Sequence, residues 1–599
     1  MKKNLHSKTL LLATCAIFPL AITAQTPQIP FIDQSSLFVT PVFHSGNAVG
    51  VCDMNNDGKD DVVRASNNAT MYIEYQGVAN GNFTEASFPS AAIGDPWGMC
   101  VGDYDNNGFN DVLWGDYGST RILTADATGS NYTSDNVSTN TGAGFIFVQG
   151  CNFFDINNDG KLDAFVCHDS GKPHIYVGNG TSSGWVFNQA LMPLATVPVS
   201  DNSGNYASIW SDVNNDGLID LMITHCRQGV NNSSDPRRID QIFINNGNGT
   251  YTQDVTNWTN LRDGAEGWST AWGDIDNDGD MDCFVLNYDV DSKLNLNNGS
   301  GVFTNVIASS GIATTTTIFG ENATFQDFNN DGFVDLFISG DHHLMYINNG
   351  NGTFTQDANA FVYAGNTITG HAVGDLNNDG FLDLYATYCD IYNTPNNSKS
   401  DKMWMNNSIA AGNTNHWIKF YLTGVASNKN GIGAIVKIYG PWGVQVREVR
   451  SGEAYGLQNS FTVHFGLGQA TQVDSVVVHW PSGTVDASTT LAADQTVNII
   501  EGGSPLSTHS SFDQSPIQLN VYPNPVTDQA IIRLDHFANY GLNNLNVNVY
   551  DINGKVIYNE NNLQNSILML NRNLFSTGLY FVEVTDKNKV LATQRMMVQ

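Results

Sequence analysis

The sequence predicts an all-β chain: a seven-bladed β-propeller over residues 25–415, followed by two smaller C-terminal β domains. Three observations carry this expectation. A nine-residue acidic motif recurs seven times before residue 384, strand-like segments accompany the copies, and charged residues make up only 14% of a chain that holds 57 Gly. Such a composition belongs to turns and strands rather than to long solvated helices.

The chain has 599 residues, with 58 Asp and Glu against 26 Lys and Arg, a net charge of −32. That balance excludes nucleic acid as a partner, because phosphate binding draws on clustered Lys and Arg. The acidity is concentrated. Residues 416–502 carry five basic and six acidic side chains and residues 516–599 carry six of each, so the excess lies almost wholly before residue 416.

The N-terminus reads Lys2-Lys3, then an apolar run from Leu10 through Leu20, then Ala21-Ile22-Thr23-Ala24. This is a secretory signal over residues 1–24, cleaved after Ala24 and too short to span a bilayer. Thr14 before Cys15 and apolar residues after it argue against a lipoprotein site. No later stretch has the roughly 18 uninterrupted apolar residues of a membrane span. Seven cysteines remain after the signal: Cys52, Cys100, Cys151, Cys167, Cys226, Cys283 and Cys389. The set is odd and sparse, so it reads as buried small hydrophobes with at most one or two bridges.

The repeated motif is Asp-x-Asp/Asn-x-Asp/Asn-Gly-x-x-Asp. Its copies are Asp53, Asn55, Asp57, Asp61; Asp103, Asp105, Asn107, Asp111; Asp155, Asn157, Asp159, Asp163; and Asp212, Asn214, Asp216, Asp220. Then follow Asp274, Asp276, Asp278, Asp282; Asp327, Asn329, Asp331, Asp335; and Asp375, Asn377, Asp379, Asp383. Short acidic side chains at alternate positions of a tight turn supply the oxygens that a hard cation such as Ca²⁺ requires, and glycine at the sixth position permits the reversed backbone. These residues are the expected ligands of up to seven structural Ca²⁺ ions. An EF-hand needs Glu at position 12; here that position is Arg64, Trp114, Val166, Ile223, Val285, Ile338 or Ala386. The EF-hand is excluded.

Each loop leads into a strand, as in Leu221-Met222-Ile223-Thr224, and some units add a second marker, as in Asn245-Asn246-Gly247-Asn248-Gly249. Asn-Gly pairs between strands favour hairpins. The first aspartates are spaced by 50, 52, 57, 62, 53 and 48 residues, a period of propeller blades. The last unit lacks a fourth strand, and Phe31-Ile32-Asp33-Gln34 is expected to supply it and close the ring.

These units resemble the FG-GAP/VCBS repeats of integrin-type propellers, and the resemblance implies calcium in the loops and a ligand on one face. Residues 416–502 contain Trp417-Ile418-Lys419-Phe420-Tyr421, His464-Phe465-Gly466-Leu467-Gly468 and Trp480-Pro481-Ser482-Gly483, and resemble the ASPIC/UnbV domain of proteins similar to cartilage acidic protein. Arg450, Glu453 and His464 within it read as turn and core residues rather than as a polar site. A linker over 503–517 precedes residues 518–599, which include Leu519-Asn520-Val521-Tyr522-Pro523-Asn524-Pro525 and the hairpin Asp551-Ile552-Asn553-Gly554-Lys555. This segment resembles the C-terminal sorting domain of the type IX secretion system of Bacteroidetes. The resemblance implies engagement of that machinery and a secreted or surface-attached product.

A loop that supplies its own five or six oxygens leaves a bound ion little room for a substrate, so the cations are expected to be structural. The face opposite the loops is the expected ligand site. It would gather Asp116, His168, His225, Tyr388 and the pair His342-His343, with Trp97, Tyr206 and Trp268 each six residues before a loop. Aromatics beside polar groups suit a glycan or a peptide. The leading reading is an exported calcium-binding module that binds an extracellular glycan or protein or mediates adhesion, without a catalytic residue. The alternatives are a polysaccharide-acting enzyme on the same face and a passive scaffold.

Overall fold

A computed structural model describes residues 29–599 apart from 67–69, 78–82, 90–95, 183, 256–259, 314–319, 341–342, 362–367, 392, 504–505, 509–517, 523–524, 528, 536–543, 552–554 and 587–588. The signal segment, His342, the tip of the 551–555 hairpin and most of the 503–517 linker fall outside the described residues.

Among the described residues, seven sheets make up the N-terminal part: six have four strands, and that of Ser45–Cys52 gains a fifth from Leu457–Gln458. The innermost strand of each is followed by an acidic loop, and the second strand begins at that loop's ninth residue. Ser45–Cys52 thus leads to Asp61–Ser66, Gly98–Gly102 to Asp111–Gly115, and His371–Gly374 to Asp383–Ala386. The innermost strands are buried on both faces, so Ser45–Cys52 reads as a continuous buried run. The outermost strands face solvent on one side and alternate, as Tyr132–Asn136 does.

The ring closes as the chain order requires. Phe31–Asp33 pairs antiparallel with Lys402–Asn406, with Phe31 opposite Asn406, and so becomes the outer strand of the seventh sheet. Phe31 is fully buried and meets Phe328 of the sixth sheet edge-on at 5.9 Å. Neighbouring sheets pack through such rings elsewhere: Phe154 of the third blade stacks on Trp210 of the fourth at 4.2 Å. The seven cysteines of residues 52–389 are buried and none is in a disulfide.

Two further β-sandwiches follow. One pairs the sheet of Val463–Gly468, His416–Thr423, Gln495–Ile500 and Leu506–Thr508 with that of Gly443–Glu448, Ile435–Gly440, Gln472–His479 and Val485–Ala492. The other holds its own core, which includes Leu545, Val547, Val549, Val582 and Val584.

The first sandwich does more than follow the propeller. Its segment 451–459 enters the propeller axis as a hairpin and bonds to the innermost strands of five blades. Leu457 pairs in parallel with Val49, Val101 N donates to Gln458 Oε1 at 3.0 Å, and Asn152 Nδ2 donates to Gly452 O at 2.8 Å. Tyr455 N donates to Asn322 Oδ1 at 3.0 Å, and Val373 N donates to Asn459 Oδ1 at 2.9 Å. The channel is therefore filled by the chain's own backbone, and the buried Asn47, Asn152 and Asn322 of the blades bond to it.

Gly452 makes that fit possible: φ is +73°, and a Cβ there would lie 2.0 Å from Cys151 O. Gly452→Val is expected to lower stability in urea denaturation by roughly 2–4 kcal/mol, through a clash added to backbone strain. Gly483 also has positive φ but nothing within 4 Å, so Gly483→Ala costs only about 1 kcal/mol. Equal losses at both positions would contradict the axial packing.

Candidate cation loops and the aromatic mouth

All seven acidic loops lie at the same end of the ring, because each follows the exit end of an innermost strand. Their geometry repeats. In loop 1, Asp57 N donates to Asp53 Oδ1 at 3.0 Å and Gly58 N to Asp53 Oδ2 at 2.7 Å, so the first carboxylate ties down the turn that follows it. Met54 N and Gln76 N donate to the two oxygens of Asp61 at 2.9 and 2.8 Å. The fourth loop residue is always Asn: Asn56, Asn106, Asn158, Asn215, Asn277, Asn330 and Asn378, with φ between 56° and 60°. Asn tolerates this left-handed backbone better than most residues, and the glycine that follows the fifth position continues it.

The Asn-Asn-Gly marker does more than form hairpins. Its first Asn bridges loops of adjacent blades: Asn297 Nδ2 donates to Val213 O at 3.0 Å, and Asn348 Nδ2 to Ile275 O at 2.7 Å. Asn406 of the last blade does the same with Phe328 O at 2.8 Å.

Burial pushes the first carboxyls upward, with neighbouring carboxylates adding to it. Asp53, Asp103, Asp212 and Asp274 rise to about 7 and Asp327 to about 8. The ninth-position carboxyls of Asp61, Asp111, Asp220, Asp282, Asp335 and Asp383 stand well above the usual range for the same reason. A divalent cation would relieve both effects. The donor sets fit one. Asp103, Asp105 and Asp111 can bring oxygens within 4.8 Å of one another, as can Asp274, Asp276 and Asp282. Asp274 Oδ2 is buried and lacks a hydrogen-bond partner. These are all-oxygen sets, suited to a hard ion.

The first sandwich sits on this end. Tyr421 Oη donates to Asp53 Oδ2 at 3.2 Å, Asp103 N donates to Asn430 Oδ1 at 2.8 Å, and Asp212 N donates to Glu448 Oε1 at 2.8 Å. Arg450 pairs with Glu448 and donates to the backbone carbonyls of Trp210 and Trp272, while the His464 ring meets Gly380 O at 3.0 Å. Arg450 and His464 thus act as clamps between the two modules.

At the other mouth, Trp97, Tyr206 and Trp268 come from three blades and surround Tyr455, the tip of the axial hairpin, with ring centroids at 6.1, 6.2 and 6.1 Å. Tyr455 is fully buried and its hydroxyl has no hydrogen-bond partner. The aromatic surface extends outward through Tyr117 (67% exposed), Phe145 (51%) and Tyr288 (48%). Trp97 meets Phe147 at 5.3 Å, Tyr117 meets Phe147 at 5.1 Å, and Trp268 meets Tyr288 at 5.5 Å.

His168 adjoins this surface, its Nδ1 accepting from Phe147 N at 3.1 Å, and burial lowers its pKa. Asp116 lies beside it, its carbonyl accepting from Val148 N. His225 and Tyr388 are buried within the blades, and the His343 ring packs on Phe361. Sequence reasoning did not find Tyr455, Tyr117, Phe145 or Tyr288. For Tyr117 the usable signal was its position directly after Asp116; for Tyr455 there was none short of the nearby Gly452 and Gly456.

Fold and loops together define a propeller of acidic-loop repeats. The chain belongs to the FG-GAP-like repeat family, which matches residues 53–114, 103–166, 155–223, 212–285, 274–338 and 327–386. "ASPIC and UnbV" matches residues 424–506, and "Secretion system C-terminal sorting domain" matches 520–599. The sorting domain marks the chain as type IX secretion cargo, delivered to the cell surface or the extracellular space. No described helix is long and apolar enough to cross a membrane.

An endo-acting ulvan lyase of Formosa agariphila is 29% identical over 92 residues, 15% of this chain and 17% of that protein. The chain thus spans under a fifth of that relative. A lectin of Agrocybe aegerita aligns at 16% identity and TM-score 0.35, covering 63% of this chain and 94% of its own. The β-propeller domain of Myceliophteria thermophila Cps50 aligns at 8% and 0.37, covering 63% and 99%.

The raised carboxyls set a pH dependence. Their folded values near 7 exceed the unfolded value of 3.8, so the folded chain holds more protons between the two. In chelator, the melting temperature is expected to fall as pH rises from about 4 to about 7, and excess divalent cation should abolish that fall. A flat or rising profile in chelator would contradict the assignment.

Proposed function

We propose that this protein is an exported binding module whose propeller is held by calcium in the acidic loops and whose ligand, an extracellular glycan or protein, docks at the mouth opposite them. The observation that carries this reading is the convergence of Trp97, Tyr206 and Trp268, from three blades, around Tyr455. Aromatic faces with carboxylates and amides beside them suit the apolar face and the hydroxyls of a pyranose ring.

Calcium is supported by all-oxygen donor sets, by buried carboxylates that, outside loop 7 and among the described residues, have no Lys or Arg bonded to the first aspartate, and by a glycine that allows the turn. Up to seven ions would fill Asp53 to Asp61 and the six equivalent loops. Each would be structural, since a loop that supplies its own five or six oxygens leaves the ion little room for a substrate.

A second reading, a polysaccharide-acting enzyme on the aromatic face, is favoured by the partial match to the ulvan lyase. Turnover separates the two. A surface glycan array and an extracellular-protein panel probed with the mature protein should give saturable binding without product. Trp97→Ala or Tyr206→Ala should weaken it by roughly 2 kcal/mol, about thirtyfold in Kd. Product release from any bound polymer would support the enzyme instead, and binding unchanged in both variants would move the ligand site elsewhere.

A further inference from the structure

The seven loops share a motif but not an environment, and the difference comes from the sandwich above them. Over loop 1 the sandwich places a phenol, over loop 2 an amide and over loop 4 a carboxylate, through Tyr421, Asn430 and Glu448. Over loop 7 it places a cation. Lys419 Nζ lies 2.7 Å from Asp375 Oδ2 and 3.2 Å from Asn378 Oδ1. The pair is buried, with side-chain exposures of 6% and 1%.

The ammonium is built in rather than incidental. The Trp417 ring lies 5.1 Å from Lys419 Nζ, and the same ring covers Gly380, where a Cβ would stand 1.9 Å from it. Asp379 of the same loop and Asp60 of the neighbouring one also feel its charge. Among the described residues, no other loop has a Lys or Arg hydrogen-bonded to its first aspartate. Two arginines come near that arrangement: Arg595 donates to Asn56 O at 2.9 Å and to Asn56 Oδ1 at 3.0 Å at loop 1, and Arg447 stands between loops 5 and 6 with its Nη1 bonded to Val446 O of its own strand.

We infer that Lys419 gives loop 7 a resident cation, so that a divalent ion binds there about tenfold or more weakly than at loops 3 and 4, whose first carboxylates have no basic neighbour among the described residues. A divalent ion entering loop 7 meets a like charge already resting on its first carboxylate, in a site from which water is largely excluded. The seven sites then form at least two classes, and loop 7 keeps its shape when calcium is scarce. The inference rests on the calcium reading above.

The test is a calcium isotherm by equilibrium dialysis on the mature chain, with Lys419→Met, Lys419→Arg and Asp379→Asn variants. The wild type should show a last site that fills at about tenfold or more higher calcium than the main class. Asp379→Asn, which removes one of the loop's carboxylates, should weaken that late step alone, Lys419→Met should merge it with the main class, and Lys419→Arg should retain it. A wild-type isotherm with one uniform class overturns the inference, and so does an unchanged late step in Lys419→Met. The wild-type isotherm and Asp379→Asn decide the matter even if Lys419→Met fails to fold. Absence of saturable calcium binding in the wild type would overturn the calcium reading itself, a distinct result.

Discussion

Carboxylates packed where water reaches them poorly are the constraint around which this molecule is arranged. Every innermost strand exits at the same end of the ring, so seven acidic turns crowd around one mouth. Asp61, Asp111, Asp163, Asp220, Asp282, Asp335 and Asp383 are all buried there. Each ninth-position carboxylate anchors its own loop to the next strand, as Asp61 does with Met54 N and Gln76 N. The architecture thus spends its acidic residues on backbone geometry and leaves a charge to be balanced. At loop 7 an ammonium from the sandwich answers part of that need; the proposed divalent ions would answer the rest.

The sandwich ties the two ends of the propeller together. Its floor meets the loops, and its hairpin runs down the axis to place Tyr455 among aromatics at the far mouth. Closure of the ring by Phe31–Asp33 and filling of the axis by residues 451–459 are separate devices, one at the rim and one at the centre. Together they leave the aromatic mouth as the face on which the propeller can present a ligand site.

Much of this was legible in the chain. The nine-residue motif located every loop, the spacings gave blades, and the missing fourth strand of the last unit pointed to Phe31-Ile32-Asp33. The acidic loops could be read because their contacts are local, within nine residues. The axial hairpin could not. Ser451-Gly452-Glu453-Ala454-Tyr455-Gly456 has neither period, and its partners Asn47, Asn152 and Asn322 lie more than 100 residues away. The asparagine at the fourth loop position was visible in all seven copies, yet its meaning depends on a positive φ. The marker asparagines read as hairpin formers, whereas Asn297, Asn348 and Asn406 also staple one blade to the one before it. On the aromatic face, spacing brought Trp97, Tyr206 and Trp268 together correctly, but it could not tell that His225 and Tyr388 turn inward.

The central claim is that cations in these loops hold the propeller and its sandwich as one unit. Calorimetric melting of the mature protein at neutral pH, in chelator and in excess calcium, tests it most directly. Ions bound only by the folded state must raise stability in proportion to their number and occupancy. The account predicts a single transition that moves up by many degrees with calcium and takes the propeller and the sandwich together. Identical melting curves with and without calcium would contradict it.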